Sequence, residues 1–90
     1  MNKTEMIQAM AEQAGISKVV AARTLDAALE AIKESLQKGE DVTLVGFGTF
    51  TVRTRAEHKG RNPKTKEELI IPAANVPAFR AGKTLKDAVN

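Results

Sequence analysis

Six basic side chains and one proline are concentrated in a short stretch of this 90-residue chain. Residues 53–66 contain six arginine or lysine residues and only one acid, Glu57. Such a density of cations is typical of a surface that binds phosphates, because lysine and arginine contacts to phosphate dominate affinity for nucleic acids. Pro63 in this stretch is rigid and lacks an N–H, so it suits either a turn or a wedge between base pairs. Asn62 beside it can reach acceptors in a minor groove.

Three further cations, Arg80, Lys83 and Lys86, form a second group near the end of the sequence. Lys83 and Lys86 are one turn apart on a predicted helix that starts near Gly82. Open amides at a helix N-terminus, with a lysine nearby, suit a phosphate oxygen. The alternative for both lysines is an ordinary solvated helix face.

The distribution of charge and the aromatic content indicate the kind of partner. Five basic and seven acidic residues give residues 1–50 a net charge of −2, whereas nine basic and four acidic residues give residues 51–90 a charge of +5. This asymmetry indicates a polyanion, with a solvated surface as the alternative. Proteins that bind single strands stack bases on aromatic rings. This chain has no Tyr, no Trp and three Phe in apolar contexts, which favours a duplex.

Motifs for catalysis are incomplete. VGFGTF has Thr51 where a dinucleotide-binding turn needs a third glycine, and the GKT sequence has Pro77 where a phosphate loop needs its first glycine. The acid pairs Glu40–Asp41 and Glu67–Glu68 form no dyad, because adjacent strand residues face opposite ways. With one histidine, His58, and no cysteine, a metal site is not expected. We therefore predict a protein that is not an enzyme and binds no cofactor or metal.

The elements that position these residues follow from the apolar periodicity. Residues 1–40 have the period of a helical hairpin, with Asn2 and Ser17 as N-caps and Gly15 and Gly39 as stops. After position 40 the period changes to two, which is typical of antiparallel strands joined by a tight turn.

The second predicted strand has an apolar face and a basic face. Phe50 and Val52 share the first. The opposite face carries Thr49, Thr51, Arg53 and Arg55. The returning segment LIIPAANVPAF contains Pro72 and Pro77, which restrict a strand to a sheet edge or to bulges.

The size of the chain predicts association. Its 24 large apolar residues can form only a thin core. A single core of this size contributes no more than about 3–5 kcal/mol, and no disulfide or metal adds to it. We therefore predict a dimer. No apolar run approaches the length of a membrane span, and the N-terminal residues lack the apolar centre of a signal peptide, so we expect a cytoplasmic protein.

The sequence resembles the bacterial HU histone-like DNA-binding proteins over its whole length. The motifs that carry the resemblance are MNKTEMI, LVGFGTF, GRNPKT and VPAFRAGKTLKDAVN. The resemblance implies an α+β fold with an N-terminal helical hairpin, a three-stranded antiparallel sheet with an extended β-ribbon arm, and a short C-terminal helix, in an intertwined dimer. It implies one domain over 1–90, with the hairpin at 1–40, the sheet at 41–81, the arm at about 53–74 and the helix at 82–90.

The resemblance also implies the functional residues. The expected arm contacts to DNA are Arg53, Arg55, Lys59, Arg61, Asn62, Pro63 and Lys64. The other expected DNA contacts are Lys3, Arg80, Lys83 and Lys86. The expected dimer core is Phe47, Phe50 and Phe79. Pro63 is expected to insert at a base step and kink the duplex by about 20–90°, a magnitude that belongs to the class of minor-groove binders in which HU is counted.

Two positions depart from the family pattern. Lys66 stands where the family often has glycine, and a turn with positive φ would strain a lysine there. Glu57–His58 replace a position where an arginine is common, which should weaken the local contact to phosphate.

We expect an architectural protein that binds duplex DNA with little sequence preference, bends and wraps it, and helps to compact the bacterial nucleoid. Bent, nicked or gapped duplexes should be preferred because they need less work to bend. One alternative is a sequence-selective subunit akin to integration host factor. Another is a dimer that binds an acidic protein surface. Pairing with itself or with a paralogue, and binding to RNA, stay open.

Overall fold

The computed structural model describes every residue from Met1 to Asn90. Its elements are α1 (Lys3–Ala14), α2 (Lys18–Gln37), β1 (Val42–Leu44), β2 (Gly48–Arg55), β3 (His58–Arg61), β4 (Glu68–Ile71), β5 (Ala74–Ala81) and α3 (Lys83–Ala88). The chain divides into two compact units, which we call the helical unit (Met1–Glu34) and the sheet unit (Ser35–Asn90). The predicted α+β class and the predicted order of elements are confirmed.

Local capping explains where the first helices begin and end. Asn2 Oδ1 accepts from Glu5 N at 2.9 Å, and Ser17 Oγ accepts from Val20 N at 3.1 Å. These bonds satisfy amides that have no partner inside the helix. Gly15 ends α1 at φ 67°, in the left-handed region that glycine enters without steric cost. The predicted caps are confirmed.

A glycine also closes α2. Gly39 has φ 77° and its N–H donates to Leu36 O at 3.0 Å, while Glu40 N donates to Ser35 O at 2.9 Å. These bonds satisfy carbonyl groups in the last turn of the helix, and the positive φ of Gly39 ends the helix there. The predicted stop at Gly39 is therefore confirmed.

Three antiparallel strands in the order β1-β2-β5 form the main sheet. The turn between β1 and β2 is closed by a bond from Phe47 N to Leu44 O at 2.9 Å, with Gly46 at φ 84°. Pro77 lies on β5, which is an edge strand of this sheet, and it pairs with Val52 of β2. An edge position is where a proline, which has no N–H, is expected in a sheet. Pro72 lies between β4 and β5.

Few side chains are buried in the single chain. The buried residues are Ala11, Ala21 and Gly48, and no large side chain is fully buried. The Phe79 ring lies 4.8 Å from Phe50 and 5.5 Å from Phe47, centroid to centroid, yet Phe79 is 41% exposed. No helix combines the length and the apolar character needed to cross a membrane.

Candidate nucleic-acid interface

The long strands of the sheet continue into the arm in one register. Arg55 pairs with Ala74 at the end of the main sheet, and His58 pairs with Ile71 at the start of the β3–β4 ribbon. Each side of the arm therefore has a gap of two residues between its paired segments. Because the gap has the same length on both sides, the pairing of the two chains stays in step from the main sheet into the arm, and side chains alternate between two faces within each paired segment.

Five cations follow this ribbon from the main sheet into the arm, and we call them together the basic face. Residues two apart along a strand share a face, and so do residues paired directly across strands. Arg80 pairs with Thr49, which shares its face with Arg53. The basic face consists of Arg53, Arg55, Lys59, Arg61 and Arg80. All five are exposed and none forms an ion pair, so their charge is available to an external anion.

One acid is bonded to this face in the main sheet, between the positions of Arg80 and Arg53. Thr51 Oγ1 donates to Asp41 Oδ1 at 2.7 Å, and Thr51 shares its face with Arg53. The sequence reasoning did not find this contact, because it joins residues ten positions apart through the pairing of two strands. This carboxylate disfavours phosphate beside Thr51, and Glu68, which pairs directly with Arg61, adds a second acid at the arm end of the basic face.

The arm tip, residues 62–67, is a closed loop. Asn62 N donates to Glu67 O at 2.9 Å, and Asn62 O accepts from Lys66 N at 2.8 Å. Pro63 and Lys64 are exposed at the outer end of this loop. Lys66 has φ 60°, the only positive φ outside glycine, so the strained turn predicted at this lysine is confirmed.

The third helix is attached to the turn between β1 and β2. Gly82 N donates to Phe47 O at 2.7 Å, and Leu85 N donates to Gly46 O at 3.2 Å. The prediction of open amides at this helix is therefore wrong for Leu85, since the turn already supplies its acceptor. Lys83 and Lys86 are exposed and form no ion pair, so only their side chains stay available to an anion.

One predicted DNA contact, Lys3, and one position that departs from the family pattern, His58, already have partners within the chain. Lys3 Nζ lies 2.7 Å from Asp26 Oδ1 in the helical unit, so this cation is partly neutralised by its own fold. His58 Nδ1 lies 3.3 Å from Ala56 O, beside the gap between the two ladders. The structure thus brings the arm residues and Arg80 onto one ribbon, whereas Lys3 belongs to a separate compact unit.

Comparisons with known proteins cover the whole chain. A family model described as bacterial DNA-binding protein matches residues 1–90. DNA-binding protein HU from Staphylococcus aureus (strain COL) is 60% identical over 89 residues, and its namesake from Geobacillus stearothermophilus is 58% identical over 89 residues, each covering 99% of both chains. An Anabaena HU–DNA cocrystal structure matches with a TM-score of 0.94 at 52% identity, covering 99% of this chain and 97% of that one.

Proposed function

Because this chain belongs to the family of bacterial DNA-binding proteins, we propose that it is an architectural protein that binds and bends double-stranded DNA. The predicted resemblance to HU is confirmed by the relatives, and membership of this family makes the protein a binding protein and not an enzyme. A solved relative is described as an HU–DNA cocrystal, which supports DNA as the partner of this chain as well.

The unpaired basic face is the observation that carries this proposal. Its five cations follow the ribbon from the main sheet into the arm, and no carboxylate forms an ion pair with them. Contacts between cations and phosphate position a protein on DNA but carry no sequence information. We therefore infer binding with little sequence preference, in which deformability of the duplex decides which sites are favoured.

The proposed contacts extend from the basic face to its two ends. At the arm tip, Asn62, Pro63 and Lys64 would contact DNA. Near the sheet, Lys83 and Lys86 would contact phosphate. Exposed Pro63 would enter the minor groove and unstack one base step, which costs a few kcal/mol and is offset by the additional contacts of a bent duplex. Lys3 would contribute once Asp26 releases it.

Exposed apolar surface supports a dimer. Phe47 is 49% exposed and Phe79 is 41% exposed, although their rings contact each other. A chain that buries no large side chain fully has too little core for independent stability. We propose that a second subunit covers Phe47, Phe50 and Phe79, and that the dimer acts in the cytoplasm on the nucleoid.

Titration of the purified chain with duplex DNA near physiological salt tests the function. Binding to unrelated duplexes with similar affinity is expected, with tighter binding to nicked or gapped duplexes. A selection from random duplexes that gives a strong consensus would favour a sequence-selective subunit akin to integration host factor. Absence of binding, combined with capture of an acidic protein, would contradict a DNA-binding role. Mass measurement in solution tests the dimer, and a purified monomer would indicate that a paralogue is required.

A further inference from the structure

Asn62 makes most of the hydrogen bonds that close the arm tip, and one more joins Glu67 N to Thr65 Oγ1 at 3.4 Å. Besides its two backbone bonds to Lys66 and Glu67, Asn62 accepts from Lys64 N through its side-chain Oδ1 at 2.9 Å. A side-chain oxygen that bonds the backbone two residues later forms an Asx turn, which fixes the direction of the intervening residue. Here the intervening residue is Pro63, so three bonds from Asn62 enclose the proposed wedge.

The loop contains one residue, Lys66, whose backbone conformation is strained. Lys66 has φ 60°, where the Cβ of an L-residue comes too close to a neighbouring carbonyl oxygen. Glycine avoids this conflict because it has no Cβ. The strain at Lys66 favours opening of the loop, and the bonds of Asn62 oppose it.

We propose that Asn62 is a positioning residue for DNA bending, which keeps the tip closed around Pro63 against the strain at Lys66. The inference rests on the proposed function, because it concerns the same wedge. A loop that is ordered before binding loses less conformational entropy when Pro63 enters the duplex. In this role Asn62 acts through the backbone of the loop, in addition to the DNA contact proposed for its side chain.

The test compares Asn62→Ala with a double variant that also carries Lys66→Gly. Each protein is titrated with an intact duplex and with the same duplex nicked at the kink positions. The ratio of the two affinities isolates the kinking step, because both duplexes present nearly the same phosphates. Asn62→Ala should weaken binding to the intact duplex by about fivefold relative to the nicked one, since it removes one hydrogen bond of the loop.

The second substitution separates two possible causes of the loss in Asn62→Ala, namely opening of the loop and loss of a direct contact with DNA. Lys66→Gly removes the strain, so the double variant should recover the affinity ratio to within about twofold of the unsubstituted chain. Asn62→Ala combined with Lys66→Gln is the matched control, because it removes the same charge and keeps a residue with a Cβ. This control should show no recovery.

Three results would overturn the inference. An unchanged affinity ratio in Asn62→Ala would show that the loop does not matter for kinking. A double variant with Lys66→Gly that stays as impaired as Asn62→Ala would show that the loss comes from the DNA contact of Asn62 and not from opening of the loop. Unchanged hydrogen exchange of the amides at positions 64 and 66 in free Asn62→Ala would show that Asn62 does not hold the loop. Failure of the unsubstituted chain to bind either duplex would instead contradict the proposed function.

Discussion

The helical unit and the sheet unit differ in whether their cations form ion pairs with carboxylates of the same chain. In the helical unit, two of the four cations, Lys3 and Lys33, pair with carboxylates at 2.7 Å and 3.5 Å. In the sheet unit, ten cations and six acids form no ion pair. Surface ion pairs add little stability, so the fold does not need those of the helical unit. The difference supports our proposal that the cations of the sheet unit bind a partner outside the chain.

The largest expected effect tests whether the sheet that carries the cations depends on close packing. A Cβ on Gly48 would lie 2.4 Å from the Phe79 ring and 2.7 Å from Arg80 O. Gly48→Ala should therefore destabilise the fold by about 3 kcal/mol, measured by urea unfolding at fixed protein concentration. Gly60→Ala in the arm is the matched control, because its Cβ would meet only the Ile71 side chain, at 3.0 Å. Its expected cost is below about 1 kcal/mol, and equal costs at both sites would contradict the contrast between sheet and arm.

The next effect separates the wedge from the cations within the arm tip. Pro63→Ala removes the apolar ring and leaves every charge, so the bend angle should fall by more than half while affinity for nicked DNA changes less than about threefold. Lys64→Ala should do the reverse, lowering affinity and keeping the bend angle. Energy transfer between dyes on the duplex ends measures the bend. Equal bend angles for Pro63→Ala and the unsubstituted protein would refute the wedge.

The smallest expected effect tests the paired cations of the helical unit. Asp26→Asn releases Lys3 from its carboxylate, so affinity for duplex DNA should rise by about threefold at low salt. Glu30→Gln releases Lys33, which is not a proposed contact, and should leave affinity unchanged. Fluorescence anisotropy with a labelled duplex measures both. An equal affinity of the two variants for duplex DNA would contradict a contact between Lys3 and DNA.

Features of the fold that depend on contacts between residues close in the sequence could be predicted, and features that depend on contacts between distant residues could not. Caps at Asn2 and Ser17 and the stop at Gly15 follow from bonds within a few residues, so the helices could be predicted closely. The basic face could be predicted for Arg53 and Arg55, since both lie in one alternating strand. Its continuation to Lys59 and Arg61 required the register across the gap in the ribbon.

The parts that could not be predicted arise from tertiary contacts. The bond from Thr51 to Asp41 needs two strands to pair before the acid reaches the basic face. The bond from Leu85 N to Gly46 O needs the third helix to pack against a turn nearly forty residues earlier. Neither contact leaves a periodic or motif signal in the sequence, so only the folded chain reveals them.

The salt dependence of DNA affinity tests most directly whether the unpaired cations of the sheet unit bind phosphate. The slope of log affinity against log salt should become shallower by about 0.9 for each phosphate contact removed, hence by about twice that in a dimer using both copies. Arg55→Ala and Lys83→Ala should each show this change, whereas Lys33→Ala, whose cation is already paired with Glu30, should show none. The same slope for all four proteins, or a flattening by Lys33→Ala as large as that by Arg55→Ala, would contradict the account.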